Sequence, residues 1–320
     1  MEIRKVQETG KGTLFTTLPK EWCRKHSITK GSILSIEVKD DGLLLLYPFT
    51  KEEKPSEIIF PYEHDKLYEV IDNIIGAYLL GYNVIEINSK NSLNIEERDR
   101  IRDTISKLVG LEIIEETLNK IKIKFILDPS ELSPDTIFSR ISFISESMMR
   151  DVIKAIEYNF DNRILESVVK RENELDRQYF LLIRLLRTIL VRPKLSVQYS
   201  ISPIEIMDRR MAAYFVEVVG DLTANLSEEI GKAFTLFKES DMTRFRGLML
   251  SVIEIYHKSI TAVLKKDRRY AQGVSDGYEK ISKLLPQIQK EDVHLINLLD
   301  YLLKVSKAAV DIADLASALY

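Results

Sequence analysis

The 320-residue sequence is poor in glycine, proline, cysteine and histidine, and each shortage excludes a class of structure or chemistry. Its 12 glycines and 9 prolines compare with roughly 38 at average usage, which predicts long helices. The single Cys23 excludes an intramolecular disulfide and a cysteine-based zinc cage. The longest apolar runs reach about half a membrane span, and the charged N-terminus lacks a signal-peptide apolar stretch. We therefore expect a soluble, cytoplasmic protein without membrane insertion.

Charge and hydrophobicity set further limits. Hydrophobic residues make up 45% of the chain and charged residues 30%, a composition that supports buried cores and argues against disorder. The formal net charge of −3 excludes a protein that is basic throughout, but it allows a local basic patch. The four histidines show neither H-x-x-x-H nor H-x-x-E-H spacing, which argues against a histidine-rich catalytic metal site.

The glycines divide the chain into regions of different pattern. Seven of the 12 glycines lie in residues 1–110 and none lies between 111 and 219, so the first half turns often and the second runs in long elements. We expect a multidomain α+β protein, which has strands around one short helix, then a small α/β domain, then six helices that suggest a duplicated three-helix unit. The predicted domains are 1–50, 57–128 and 134–320, the last with one weak strand pattern near 195–199.

The first region carries a recognisable order of motifs. A short strand at 3–6 precedes a G-K-G turn at 10–12, T-L-P-K-E at 17–21, I-T-K-G at 28–31 and D-G at 41–42. This order resembles the AbrB/SpoVT family of swapped-hairpin DNA-binding domains. The resemblance implies a swapped-hairpin β-barrel and an intertwined homodimer, because one chain would supply only half of the barrel.

The charge of this region agrees with a nucleic-acid partner. Residues 1–30 hold seven Lys or Arg against three Glu, a net charge of +4 inside a chain of net charge −3. A local basic patch is what a phosphate backbone attracts, so we expect double-stranded DNA as a partner. The alternative is a solvated surface without a partner. The predicted DNA-contacting residues are Arg4, Lys5, Lys11, Lys20, Arg24 and Lys25.

The third region contains two acidic motifs. The sequence E-V-V-G-D-L-T-A-N-L-S-E at 217–228 and E-N-E-L-D at 172–176 resemble the paired motifs of the PhoU family. The resemblance implies two tandem three-helix bundles and carboxylates that hold metal ions. Carried over by position, the metal-binding residues are Glu172, Asp176, Asp221 and Asn225.

Helical spacing favours convergence of these side chains. Both pairs are four residues apart, so each pair points to one face of its helix, although acids at this spacing are also common on solvated helices. Oxygen ligands without histidine or cysteine suit Mg²⁺, Mn²⁺, Ca²⁺ or iron, and we expect divalent or iron ions in the first repeat. In the second repeat Tyr278, Ser282 and Lys307 stand where acids are expected, which predicts that a second metal site is lost.

Together these resemblances imply a cytoplasmic transcriptional regulator of phosphate uptake. The helical region would act as a sensor or would signal through a phosphate transporter or its signalling partner. The middle region has no nucleotide-binding motif or catalytic triad order, and we interpret it as a spacer, a dimerisation domain or a small-ligand sensor. We expect no enzymatic activity.

Three alternatives remain open. One is an AbrB-type regulator that responds to a metal or another ligand unrelated to phosphate. Another is an antitoxin-like autoregulator, against which the roughly 270 further ordered residues argue. The third is a di-metal carboxylate enzyme, which would need Glu-x-x-His motifs. That spacing occurs at Glu254–His257 and Glu291–His294, but both lie in the repeat that lacks the other acids.

Overall fold

The computed structural model describes residues 2–10, 12–38, 42–48, 56–63, 66–158, 161–233, 239–284 and 293–316. The chain divides into two compact units, residues 1–55 and residues 56–320. The predictions that concern Lys11, the turn at 40–41 and Glu291 lie outside the described residues.

The first unit contains two antiparallel hairpins and one short helix. Strands β1 (Gln7–Thr9) and β2 (Thr13–Phe15) pair with each other, helix α1 (Lys20–Lys25) follows, and β3 (Leu34–Val38) pairs with β4 (Leu44–Pro48). In the described residues of this unit the two hairpins are separate two-stranded sheets, and these do not close the predicted barrel.

The first strand lies later in the sequence than predicted. We expected it at 3–6, and the structure places β1 at Gln7–Thr9. Gly10 and Gly12 adopt positive φ angles of 64° and 91° in the turn, and the pairing extends from there, with Glu8 opposite Leu14. The turn therefore fixes which residues pair, and the strand prediction at 3–6 was wrong because it followed hydrophobicity alone.

The second unit begins with β5 (Glu57–Tyr62), α2 (Leu67–Leu79), β6 (Val84–Ser89), α3 (Ile95–Ser106), β7 (Leu111–Glu116) and β8 (Lys120–Phe125). The four strands form a sheet in the order β5-β6-β8-β7, in which β5 and β6 are parallel and the other neighbours antiparallel.

Helix α3 begins with a capping box, in which Glu97 N–H donates to Asn94 Oδ1 at 2.9 Å and Asn94 N–H to Glu97 Oε2 at 2.8 Å. The sequence predicts this cap, because Asn94 is followed three positions later by Glu97, and the structure confirms it.

The rest of the second unit is helical, with α4 (Pro134–Glu157), α5 (Asn162–Val191), α6 (Pro193–Gln198), α7 (Pro203–Ala233), α8 (Glu239–Lys265), α9 (Val274–Leu284) and α10 (Val293–Asp314). Helices α4, α5 and α7 pack together as one bundle, and α8, α9 and α10 pack as a second. Contacts of α7 with α10 and of α4 with α8 join the two bundles into one core.

Two local predictions in the helical region are wrong. The weak strand pattern near 195–199 is the short helix α6, because Pro193 occupies its first turn and Leu195 is buried. The fifth of the six helices that the sequence predicts spans 267–285, but the structure has a 3-10 helix at Arg268–Ala271 followed by α9. Gly273, with φ 81°, separates the two segments.

The sheet region is docked on α5 through a buried arginine. Arg184 is 2% exposed, and its guanidinium donates hydrogen bonds to the carbonyls of Tyr78 (2.6 Å) and Tyr82 (2.9 Å) at the end of α2. The guanidinium also lies 3.7 Å from the ring centroid of Phe125. Burial lowers the pKa of Arg184 to about 10, so it stays charged at neutral pH. The sheet and the helices therefore share one compact unit.

One stretch in the described residues, Thr243–Lys265 of α8, has the length and hydropathy of a membrane-spanning helix. In its most apolar stretch of 18 residues, 56% is buried inside the protein. The central helix of a bundle has the same composition, because it packs against neighbours on several sides.

Candidate functional site

Three carboxylates converge between α5 and α7. Glu172 and Asp176 lie one turn apart on α5, Asp221 lies on α7, and each offers an oxygen within 4.8 Å of the others. The two helices approach closely because Gly220 precedes Asp221; a Cβ atom at Gly220 would lie only 2.8 Å from Leu175 Cδ1. The structure thus brings together three of the four residues predicted to bind metal.

The cluster is electrostatically strained without a counter-ion. Burial, which is the largest cause, and the charges of Glu172 and Asp221 together raise the pKa of Asp176 to about 7, whereas the charge of Lys107 acts in the opposite direction. Burial and Glu172 raise the pKa of Asp221 as well. Asp176 Oδ1 is buried and has no hydrogen-bond partner in the described part of the chain. An unsatisfied buried oxygen of this kind costs free energy that a cation or a proton would recover.

Glu217 is a fourth acidic residue of the site, which the sequence analysis did not select. Burial, which is the largest cause, and the charges of Asp221, Asp176 and Glu172 together raise its pKa to about 7. Glu217 precedes Asp221 by four residues, the same spacing as that between Glu172 and Asp176, so the signal was present in the sequence. Asn225, the fourth residue predicted to bind metal, lies one turn beyond Asp221 and is exposed.

The donor set fits a hard cation. Carboxylate oxygens from two helices, one of them buried without a partner, are what Mg²⁺, Mn²⁺, Ca²⁺ or iron bind. Glu172, Asp176 and Asp221 would hold the ion, and Glu217 would add negative charge beside it. The ion would neutralise the repulsion that raises these pKa values.

The corresponding position of the second repeat is occupied by an ion pair. Lys307 Nζ donates to Asp311 Oδ1 at 2.6 Å within α10. Tyr278 of α9 lies close enough for its charged form to raise the pKa of Lys307, although the Asp311 hydrogen bond is the larger cause. The absence of a cation site in the second repeat stays a prediction, which the variants described below test.

The first unit presents a basic surface around α1. Lys20 and Arg24 are one turn apart and exposed, and Lys5 and Lys25 are exposed too. None of these four forms an ion pair with another described residue, so their charges are available to a partner. Arg4 differs, because it pairs with Glu2 and donates to Thr17 Oγ1 at 2.9 Å.

The first unit lacks a core of its own in the residues that the structure describes. None of them is buried, and Trp22 and Cys23 are only half-buried. Such a surface needs a partner, because apolar side chains in water contribute nothing to folding. The large hydrophobic residues exposed here are Ile3, Val6, Leu14, Phe15, Ile33, Ile36, Val38, Leu43 and Leu44.

Two family models each match part of the chain. Residues 7–55 match the family described as antidote-toxin recognition MazE, bacterial antitoxin. Residues 138–230 match the PhoU domain, a range that spans nearly all of α4, α5 and α7 and includes the carboxylate cluster. No curated protein matches the chain.

Proposed function

We propose that this chain, in which a MazE/AbrB-type domain is followed by a PhoU domain, is a cytoplasmic DNA-binding transcription regulator of phosphate uptake. MazE/AbrB-type domains are regulatory and commonly bind DNA as dimers, and PhoU domains are associated with phosphate homeostasis. The observation that carries the proposal is the presence of a basic, unpaired surface and a cation-type carboxylate cluster in one chain.

DNA binding is assigned to a homodimer of the first unit. The unpaired charges of Lys20 and Arg24 contact phosphates, and the exposed apolar side chains of the hairpins pack against those of a second copy. Sedimentation of the full chain tests the assembly. We expect a dimer for the wild type and dissociation when Leu14→Glu and Ile36→Glu are combined. A wild-type monomer contradicts the assignment.

The helical region is assigned the sensing role, through a cation held by Glu172, Asp176 and Asp221. Binding to the folded state alone raises stability by about 2.7 kcal/mol at a hundredfold excess over the dissociation constant. We expect Mn²⁺ to raise the melting temperature of the wild type. The double variant Asp176→Ala with Asp221→Ala should lose this gain.

A matched control uses the second repeat. Asp311→Ala with Asp314→Ala removes the same number of acids from α10, where Lys307 already occupies the site. This variant should keep the response to Mn²⁺. If both double variants respond alike, the first repeat is not the cation site.

The link to phosphate is tested in cells. We expect the chain to occupy the regions upstream of phosphate-transport genes, with occupancy that differs between phosphate-rich and phosphate-starved cultures. The PhoU region would receive the signal directly or through a phosphate transporter or its signalling partner. Chromatin immunoprecipitation of the full chain measures the occupancy, and equal occupancy in both cultures contradicts the phosphate role while leaving DNA binding intact.

An antitoxin-type role is the second candidate, favoured by the match of residues 7–55 to an antitoxin family. It predicts a toxin partner that the full chain neutralises. Co-expression with the product of an adjacent gene separates the two roles. Rescue from growth arrest supports the antitoxin role, and phosphate-dependent DNA occupancy supports the transcriptional one.

A further inference from the structure

A cavity lies between α5 and α7, near the start of α5 and the end of α7. The two helices run antiparallel, because Cβ atoms at Gly220 and Gly231 would lie against Leu175 and Leu165 respectively. The cavity has a volume of about 330 Å³ and is open to solvent. Pockets for small molecules have volumes of about 300–1,000 Å³, so this cavity can hold a ligand at the small end of that range.

The floor of the cavity is apolar. Leu165 is buried and Val169 is half-buried, and both line the cavity from α5. On α7 the lining includes Gly231, where a Cβ atom would lie 3.9 Å from Leu165 Cδ1. The glycine therefore leaves open the space that a larger side chain would fill. Val169 precedes Glu172 by three residues, so the cavity lies about one helical turn from the carboxylate cluster.

Three charged side chains line the cavity without forming ion pairs. Glu166 and Lys170 lie one turn apart on α5, and Glu228 lies on α7; all three are exposed. A glutamate four residues before a lysine commonly forms an ion pair on a helix. None of the three does so with any residue that the structure describes, and the neighbouring Lys232 pairs with Glu229 instead. Two carboxylates and one ammonium group are therefore available to a ligand.

These charges specify the polar groups of the ligand. An ammonium group can lie between Glu166 and Glu228, which line the cavity from opposite helices, and a carboxylate can pair with Lys170. Because Glu166 and Lys170 are one turn apart, with Cβ atoms about 5–6 Å from each other, the two charges of the ligand must be close together. An α-amino acid carries both charged groups on one carbon atom.

A buried hydroxyl adds one more acceptor to the cavity. Ser227 is 1% exposed, and its hydroxyl donates to the Thr223 carbonyl at 2.9 Å. Since the hydroxyl proton is used in this way, the Ser227 oxygen can still accept a hydrogen bond from a ligand. An ammonium group has three N–H donors, and two carboxylates and this oxygen match that number.

Other classes of ligand leave a lining charge unmatched. A simple anion would lie beside two carboxylates, and a diamine would bring a second cation beside Lys170, so like-charge repulsion disfavours both. An uncharged apolar molecule would remove water from the three charges without pairing them. A partner helix, about 10–12 Å across with its side chains, is too wide for a cavity of this volume.

We propose that this cavity binds a free α-amino acid with an aliphatic side chain. Glu166 and Glu228 hold its ammonium group, Lys170 pairs with its carboxylate, and its side chain packs on Leu165 and Val169. The site goes beyond the proposed function, because it requires neither DNA nor a bound cation.

A panel of related ligands tests the chemistry of the site. The probe is L-leucine, and ligand-detected NMR with the full chain, in chelator, measures its Kd. A ligand of about nine non-hydrogen atoms should bind with a Kd of roughly 1 mM. Isoamylamine lacks the carboxylate, 4-methylpentanoate lacks the ammonium group, and 6-aminohexanoate has the atoms of leucine with the two charges far apart. Each should bind at least about tenfold more weakly. Equal binding of isoamylamine and leucine, or no binding of leucine at about 20 mM, overturns the proposal.

Charge variants test the location. Lys170→Met should weaken leucine binding by about tenfold or more while leaving isoamylamine binding unchanged, because only leucine has a carboxylate for Lys170. Glu228→Gln should weaken binding of both ligands. The control Lys280→Met changes an exposed lysine of α9 and should leave leucine binding unchanged. If Lys170→Met and Lys280→Met bind leucine equally well, the proposal is wrong.

A filled cavity gives a second test that does not depend on charge. Gly231→Leu places a side chain in the cavity and should abolish leucine binding. Gly247→Leu is the matched control, since a Cβ atom there meets nothing within 4 Å, and it should bind leucine as the wild type does. Both changes replace a helical glycine by a better helix former, so both variants should melt no lower than the wild type. Unchanged leucine binding by a folded Gly231→Leu variant overturns the proposal.

Discussion

Arg184 of α5 donates a hydrogen bond to the carbonyl of Tyr78 at 2.6 Å and thereby joins the helical region to the sheet region. The carbonyl belongs to the last turn of α2, where a positive charge is favourable because the helix dipole is negative there. Asp176 of the carboxylate cluster lies two turns earlier on α5. One helix therefore carries both the cation-type cluster and the attachment of the sheet region.

Removing the Arg184 guanidinium should destabilise the protein strongly. Arg184→Met leaves the buried carbonyls of Tyr78 and Tyr82 without a donor, at about 1–3 kcal/mol each. We expect a loss of about 2–4 kcal/mol in the free energy of unfolding, measured by urea denaturation. The exposed Arg177→Met, on the same helix, should change it by no more than about 0.5 kcal/mol. Equal losses in the two variants contradict the docking role.

A methyl group at the helix crossing should also destabilise the protein. Gly220→Ala places a Cβ atom 2.8 Å from Leu175 Cδ1, so α5 and α7 must separate, at a cost of about 1–3 kcal/mol. Gly247→Ala is the matched control, since a Cβ there meets nothing within 4 Å and alanine favours helix by about 0.8–1 kcal/mol. Thermal melting should show opposite shifts for the two variants. Shifts of the same sign contradict the close packing.

The carboxylate cluster predicts a stability that falls as pH rises in the absence of metal. The pKa values of Asp176 and Glu217 are raised to about 7 in the folded protein, above the value of about 4 in the unfolded chain. Between these values the two groups bind more protons in the folded state than in the unfolded state, so their contribution to the free energy of unfolding decreases with pH up to about 7.

Neutral substitutions should remove this dependence. In chelator at pH 7.5, Asp176→Asn should be more stable than the wild type by about 1–2 kcal/mol, a magnitude reduced for partial solvent exposure. At pH 4 the two proteins should be equally stable. Urea denaturation across the pH range measures this. The description of the cluster is contradicted if the wild type gains stability steadily from pH 4 to pH 7.5 and Asp176→Asn follows the same curve.

Local signals in the sequence predicted most of the second unit. The Asn94–Glu97 spacing predicted the start of α3, whereas the short helix that begins at Pro193 and the interruption at Gly273 were not predicted. The docking of the sheet on α5 could not be predicted, because in the sequence Arg184 looks like an ordinary solvent-exposed charge on a helix. Only the folded structure brings it beside Tyr78 and Tyr82, which are about 100 residues away in the chain. Long-range contacts of this kind produce no periodic pattern in the sequence.

The candidate site, too, was predicted from the sequence only in part. Spacing alone paired Glu172 with Asp176, but which face of α7 meets them depends on the crossing at Gly220, where Asp221 comes close to both. Glu217 adds its charge to this cluster, and the metal-binding role of Asn225 stays a prediction. In the first unit, the excess of basic residues correctly pointed to Lys20 and Arg24, which are exposed. The sequence could not show that Arg4 forms an ion pair with Glu2.

The central claim is that the first unit binds DNA through its unpaired basic residues. The most direct measurement is a salt titration of binding to the protein's own upstream region, for the wild type, Arg24→Ala and Lys30→Ala. A dimer presents Arg24 twice, so its loss should flatten the slope of log K against log[salt] by roughly 2, with a smaller change for Lys30→Ala, at the edge of the patch. Equal slopes for the wild type and Arg24→Ala, or no binding by the wild type at about 50 mM salt, contradict the claim.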